Sequence, residues 1–532
     1  MPVSIPARKS LCSVAGKLNG FVSYRAYLVH GARWQRTASA SDSTERKTNP
    51  CGDFQSALPF ESIPGPKGLP YFGTLLQYKA GRLKVANLHN VFLDYYKRYG
   101  KIVKDTVAGQ TVIHIFDPDY VKDYFQQEDK LPDVPPLLDV TKQYRNDRKQ
   151  SPGLGNSLGK EWYRLRSGVQ KAMLAPTEVV RYFPKVNSVA EEFLQKLLKI
   201  RDGCGQVPHL RNEIARWSIE SAWITAFDTH FGCIANKDHT EAQAIIDANA
   251  LIFRLSVDMK FSVPWYKIFP TPKRRRIYAA EDYILSIVQK HVDQTVEKIK
   301  VLQDKGELLD GQYSFLTYLL SREQLTYTDI VILTLSLPFD GVSTNARMLY
   351  FNMYCIAKNP DVQKKLYNEI EQHLPGDEPL TPEKLSKLSY LKACVKETFR
   401  FFPIGLEISR ILKKDMVIGG YQLPAGTQLE MNNFVMAMLP EYFVSPERYL
   451  PERWIKDTST QNIHPFIMIP FGHGPRMCVG RRFAEQELYT MLTKLFKTFH
   501  IEWTGADLDK SYRILTEPSR PSQFIFTERN PK

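Results

Sequence analysis

The ten residues Phe471-Gly472-His473-Gly474-Pro475-Arg476-Met477-Cys478-Val479-Gly480 constrain this chain more than any other stretch. Their three glycines bracket one cysteine just before a predicted helix over about 479–497. Glycine lets a backbone pass close to a large flat ligand and adopt conformations closed to other residues. A helix starting after Cys478 turns its positive N-terminal end and free backbone N–H groups toward the sulfur, which favours thiolate over thiol. The simpler alternative is a buried structural cysteine. That is the expectation for Cys355 and Cys394, which sit in apolar helical patterns.

The rest of the chain sets the frame for that loop. Its 532 residues, 43% apolar and 12% aromatic, can bury a large core and exclude a disordered or fibrous protein. Seven cysteines, at 12, 51, 204, 233, 355, 394 and 478, form no Cys-x-x-Cys pair. An odd, scattered set argues against a disulfide scaffold or a zinc site and for a reducing compartment. Net charge is +14. Residues 1–41 carry six basic side chains (Arg8, Lys9, Lys17, Arg25, Arg33 and Arg36) and no acid, with abundant Ser and Ala, as mitochondrial transit peptides do. No apolar run there approaches the ~18–20 residues of a spanning helix. No nucleic-acid module is visible, so nucleic acid is not an expected partner.

Polar, Pro/Ser-containing residues 42–60 read as a linker, and Ile63-Pro64-Gly65-Pro66-Lys67-Gly68-Leu69-Pro70 opens the body of the protein, 61–532. Two β-like runs, Ile102–Thr106 and Thr111–Phe116, flank a turn at Ala108-Gly109-Gln110. Three- and four-residue apolar spacing predicts helices including Val189–Ile200, Glu241–Leu255, Ile277–Leu302, Thr328–Lys358 and Pro360–His373. Alternation over 408–430 around Gly419-Gly420 and Pro424-Ala425-Gly426 predicts short hairpin strands, and 440–477 reads as irregular. The fold class is mainly α with small β-sheets.

The segment around Cys478 matches Phe-x-x-Gly-x-Arg-x-Cys-x-Gly at every fixed place. The chain resembles the cytochrome P450 family, in the mitochondrial-type, ferredoxin-dependent branch found in animals, arthropods included. Glu397-Thr398-Phe399-Arg400 matches the family's Glu-x-x-Arg, whose i, i+3 spacing shares a helix face. Arg453, in Pro451-Glu452-Arg453-Trp454, would complete a buried charge network that holds the cysteine loop. Trp162-Tyr163-Arg164-Leu165-Arg166 matches Trp-x-x-x-Arg. The resemblance implies heme b, with Cys478 as axial iron ligand and Trp162, Arg166, Arg410, Phe471 and Arg476 binding the group. In the P450 fold heme lies between the long central helix and the cysteine-loop helix. A thiolate ligand pushes electron density onto iron and favours O–O cleavage.

One segment departs from the family. Where Ala/Gly-Gly-x-Asp/Glu-Thr-Thr is expected, this chain has Asp340-Gly341-Val342-Ser343-Thr344-Asn345. In the family an acid–alcohol pair relays protons to the reacting oxygen. Thr344 is present, but Ser343 replaces the acid, and an acid stands at Asp340, four residues earlier on the same helix face. Either Asp340 substitutes in the relay or contacts a polar substrate group, or Ser343 acts with water.

By resemblance Lys392, Lys396, Arg481 and Arg482 form a patch that docks an acidic, adrenodoxin-like ferredoxin, itself reduced by an NADPH ferredoxin reductase. One residue of helix rotation separates Lys396 from Glu397, about 100°, so the lysine face is expected to point away from the buried network. Residues 263–276 combine Trp265, Ile268 and Phe269 with Lys273-Arg274-Arg275-Arg276, which suits shallow contact with an anionic membrane. The expected function is hydroxylation of an apolar small molecule, steroid- or hormone-like or xenobiotic, in mitochondria on the matrix side of the inner membrane. The competing reading is a heme-thiolate protein without monooxygenase turnover, a sensor or an enzyme that rearranges peroxides.

Overall fold

The computed structural model describes residues 54–236, 239–309, 311–455 and 462–529. Residues 1–53, which hold the expected basic leader 1–41 and the first part of the expected linker, lie outside the described residues. Residues 54–60, assigned to the linker by composition, dock on the body: the Leu58 amide donates to Gly420 and the Gln422 amide to Leu58.

The elements that position the site are, in chain order, α1 (Leu88–Tyr99), β1 (Ile102–Val107), β2 (Gln110–Ile115), α2 (Gly159–Leu174), α3 (Phe183–Ile200), α4 (Leu210–Phe227), α5 (Thr240–Lys260), α6 (Pro272–Lys305), α7 (Tyr327–Ser343), α8 (Asn345–Ala357), α9 (Pro360–His373) and α10 (Ser389–Phe401). Then come β3 (Ile408–Ile411), β4 (Met416–Ile418), β5 (Tyr421–Leu423), β6 (Gln428–Met431), α11 (Arg481–Thr498), β7 (Phe499–Trp503), β8 (Lys510–Arg513), β9 (Leu515–Pro518) and β10 (Phe524–Glu528). Helices dominate and the sheets are small. Among the described residues no helix is long and apolar enough to cross a membrane.

α7 is the central element. A capping box starts it: the Asp329 amide donates to the Thr326 hydroxyl, and the Thr326 amide donates to the Asp329 carboxylate. Ile330 through Leu335 are all buried, so this helix is covered on every side. Spacing predicts one helix over Thr328–Lys358, but the chain breaks at Thr344 (φ −122°, ψ −66°) and resumes as α8. Ser343 donates its hydroxyl to the Asp340 carbonyl at 3.0 Å, and Thr344 donates to the same carbonyl at 2.7 Å. Two adjacent hydroxyls competing for one carbonyl weaken the helical ladder there.

β1 and β2 form a hairpin with Ile102 opposite Ile115. β6 joins β2 in parallel and β3 closes the sheet, in the order β1-β2-β6-β3. The predicted hairpin around Gly419-Gly420 is β4–β5, with both glycines at positive φ. Strands β7–β10 after the last helix were not anticipated, although Phe499, Ile501 and Trp503 alternate as a half-buried strand requires.

Candidate heme-thiolate site

The cysteine loop is built by short-range amide bonds. The Gly472 amide donates to Ile469 at 2.8 Å, the Met477 amide to Gly474 at 3.1 Å and the Cys478 amide to Phe471 at 2.8 Å. Gly474 has φ +71°, and a Cβ placed on it would stand 2.1 Å from a Glu128 carboxylate oxygen. Only glycine fits there. α11 begins at Arg481, so the amides of Gly480 and Arg481 face the sulfur and pull its pKa down. Burial pushes it up and wins, with the Asp340 charge adding to the rise. The helix start alone therefore leaves the thiol protonated. A metal ion on the sulfur would reverse that balance.

Behind the loop stands a carboxylate with five donors. Glu397 accepts from Arg400 Nε and Nη2 at 3.0 and 2.8 Å, Arg453 Nε at 3.0 Å, Trp454 Nε1 at 2.8 Å and the Leu450 amide at 3.0 Å. Arg400 also donates to the carbonyls of Ala437, Pro446 and Arg448, which fastens α10 to the irregular segment before the loop. Phe399 of α10 meets the Phe471 ring at 5.1 Å between centroids and carries this rigidity into the loop. Removing one partner of so buried a charge set costs about 3–5 kcal/mol.

The three expected cations are placed differently from one another. Arg166, on α2, is buried and its Nε has no hydrogen-bond partner. Burial pushes this guanidinium down, with Cys478 the charge that opposes the fall. Arg476 lies 4.1 Å over the Trp162 ring and donates to the carbonyls of Pro132, Leu154 and Ser157. Burial brings it down to about 10. Arg410 forms a buried ion pair with Glu128 at 2.6 Å and donates to the His473 carbonyl at 3.0 Å. It clamps the cysteine loop. Glu128 was not singled out from the sequence, because nothing local pairs residues so far apart in the chain.

α7 faces this loop. Solvent reaches both Cys478 and Asp340 although protein encloses each, which marks an interior cleft between α7 and α11. Asp340 is pushed up to about 6 by burial, against the opposing charge of Arg145. Ser343 is buried and its hydroxyl returns to its own helix. Asp340, not Ser343, is therefore the acid-bearing position on the cleft. Gly341 gives the close approach: a Cβ there would lie 2.8 Å from Ser218 Oγ of α4. Asn345, the residue after Thr344, donates its amide to Glu487 of α11 at 2.5 Å. Glu487 is buried, is pushed up to about 7, and was not singled out from the sequence.

The basic patch is only partly as expected. Lys396 is exposed and sits 4.2 Å over the Trp454 ring, whose N–H bonds Glu397. The lysine face thus touches the buried network through that indole and does not point wholly away from it. Lys392 donates to the Ser386 carbonyl. Arg481 pairs with Glu485 at 3.0 Å, and Arg482 is exposed with no ion pair among the described residues.

These groups fit heme. The sulfur at a helix start suits iron, and the unsatisfied Nε of Arg166 suits a propionate. The comparisons agree. The family model described as Cytochrome P450 matches residues 63–526. A probable cytochrome P450 CYP44 of Caenorhabditis elegans is 36% identical over 474 residues, 88% of this chain and 94% of that protein. Mouse mitochondrial 1,25-dihydroxyvitamin D(3) 24-hydroxylase is 29% identical over 474 residues, 88% of this chain and 89% of its own. The mitochondrial cytochrome P450 302a1 of Drosophila melanogaster is 29% identical over 478 residues, 87% and 94% of the two chains. The chain belongs to the cytochrome P450 family, the heme-thiolate monooxygenases.

Proposed function

We propose that Cys478 is the iron ligand and that the enzyme hydroxylates an apolar small molecule with dioxygen and two electrons from a mitochondrial ferredoxin. The observation that carries this reading is the cleft in which Cys478 lies close enough to Asp340 of α7 to feel its charge. Heme held there would supply the oxygen activation. Arg166 holds a propionate through its free donor. Trp162 and Arg476 stack as one wall, and Arg410 keeps the loop in register through Glu128 and His473. Asp340, titrating near 6, holds and releases a proton at the cleft, and Thr344 orients the acceptor.

Electrons enter from the side of Lys392, Lys396, Arg481 and Arg482, where an acidic ferredoxin reduced by an NADPH ferredoxin reductase finds complementary charge. Relatives named as mitochondrial support mitochondria as the address, and the reading places the enzyme there on the matrix side of the inner membrane. An exposed patch suits shallow membrane contact: Trp265, Ile268 and Phe269 are 58%, 69% and 56% exposed beside Arg275, Arg276 and the ion-paired Lys267 and Lys273. The rival, a heme-thiolate protein without turnover, draws on Ser343 standing in place of the family's acid. Asp340 on the cleft supports turnover.

The test is reconstitution with a ferredoxin, its reductase and NADPH over a panel of sterols and xenobiotics. Substrate-dependent NADPH consumption with a hydroxylated product is expected. A spectral shift on binding without turnover for every compound would return the rival reading. A reporter carrying residues 1–50 should enter mitochondria and lose import when Arg8, Lys9 and Arg25 become Glu.

A further inference from the structure

A second cavity is lined by none of the residues placed on the cysteine cleft above. It holds about 50 Å³ between the sheet, α1, the short helix Leu75–Lys79 and the end of α5. One wall is apolar: Leu88, Phe92 and Phe261. The other carries Asp105 of β1, His114 of β2, Glu430 of β6 and Glu407, just before β3. Strand register explains the gathering. His114 pairs with Glu430, which in turn pairs with Ser409, two residues past Glu407.

Three carboxylates gather there, and not all of their oxygens are satisfied. Asp105 accepts from the hydroxyls of Thr74 at 3.0 Å and Tyr95 at 3.1 Å, so both its oxygens are engaged. Glu430 accepts from Gln428 at 3.0 Å on one oxygen. Its other oxygen lies 3.4 Å from His114 Nδ1, and that nitrogen makes no hydrogen bond although His114 is only 4% exposed. Glu407 Oε2 is buried with no partner at all. The remaining charges and hydroxyls facing the group are Lys260 of α5, whose side chain is exposed at the mouth, and Tyr78 and Tyr512.

Adjacent buried carboxyls do not both ionise unless a positive charge joins them. Burial, with the charge of Glu430 added, pushes Glu407 up to about 8 against the opposing charge of Lys260, so at neutral pH a proton and not that distant ammonium fills the role. A cation with N–H donors would fill it better, because it also satisfies the orphaned Glu407 oxygen and charge-assisted bonds are the strong ones. The apolar wall suits an alkyl stem.

We propose that this cavity binds the ammonium head of an alkylamine between Glu407 and Glu430, with its carbon chain against Leu88, Phe92 and Phe261. The test is calorimetric titration of the holoenzyme with butylammonium chloride at pH 7, in two buffers of different protonation enthalpy. The Soret band recorded on the same samples scores ligation of iron by the amine separately. Saturable binding with an unmoved Soret band and release of a proton is expected. Glu407→Gln should weaken it about tenfold or more and abolish the proton release. If that variant loses its native circular dichroism, Glu430→Gln takes its place with the same expectation. No saturable heat at millimolar concentration, or binding that the folded variant retains, overturns the proposal. So does binding seen only as a Soret shift. Each of the three would leave the cavity holding only water and a shared proton.

Discussion

Asn345 and Glu487 join α8 to α11 by a 2.5 Å hydrogen bond, directly beside the break at Thr344. The bond leaves Glu487 Oε1 and Asn345 Oδ1 buried without partners, and no cation pairs with the carboxyl among the described residues. Such a carboxyl is costly to ionise, and it holds its proton up to about 7 against an ordinary 4.5. The folded state therefore binds more protons than the unfolded one between those values. Stability contributed by this group falls as pH rises from about 4.5 to about 7 and stays low above it, a difference on the order of 3 kcal/mol. Glu487→Gln should flatten that part of the profile. Thermal midpoints of both proteins from pH 5 to pH 8 check this, and parallel curves would refute it.

Replacing Cys478 with His should retain some heme and abolish the thiolate-type absorbance of the reduced carbon monoxide complex. Survival of that spectrum would remove Cys478 as the ligand.

Asp340 and Thr344 share one turn, and the Thr344 hydroxyl bonds the Asp340 carbonyl, not its carboxyl. If the two act in one proton path, Asp340→Ala and Thr344→Ala should each divert electrons to hydrogen peroxide, and the double variant should be little worse than either. Wild-type coupling should depend on pH around 6, the value for Asp340, and Asp340→Asn should lose that dependence. Product formed per NADPH consumed is the measurement. Full coupling in Asp340→Ala would assign the role to Ser343 and water.

Reversing charge in the docking patch separates two effects. Arg482→Glu should slow reduction by ferredoxin most at low ionic strength, since exposed charges act over a Debye length of about 10 Å at 0.1 M salt. Lys396→Glu should do the same and also lower stability by about 0.5–1 kcal/mol, because it ends the contact with Trp454. Stopped-flow reduction against salt, alongside melting curves, tells these apart. Unchanged reduction in both variants would move the docking site elsewhere.

What the sequence determined by itself is local. Cys478 between its glycines, the Glu397–Arg400 pair at i, i+3 and the helix Pro360–His373 were legible because the residues that define each are neighbours in the chain. Spacing along one helix or one loop sets side-chain direction without reference to anything distant. The mainly α fold followed from the same periodicities. What only the tertiary structure decided are partnerships across the chain: Arg410 with Glu128 instead of a free cation, Asn345 with Glu487, Lys396 on Trp454, and β6 laid parallel to β2. A charged or amide side chain carries the capacity to bond but not the identity of its partner. That identity comes from which elements the buried core brings together, and burial then sets the strength and the protonation of each pair. The break at Thr344 belongs to the same class. Its hydroxyls were visible in the sequence, but Asp340 reached the cleft and Ser343 was turned inward only when α7 packed against α4 and α8 against α11.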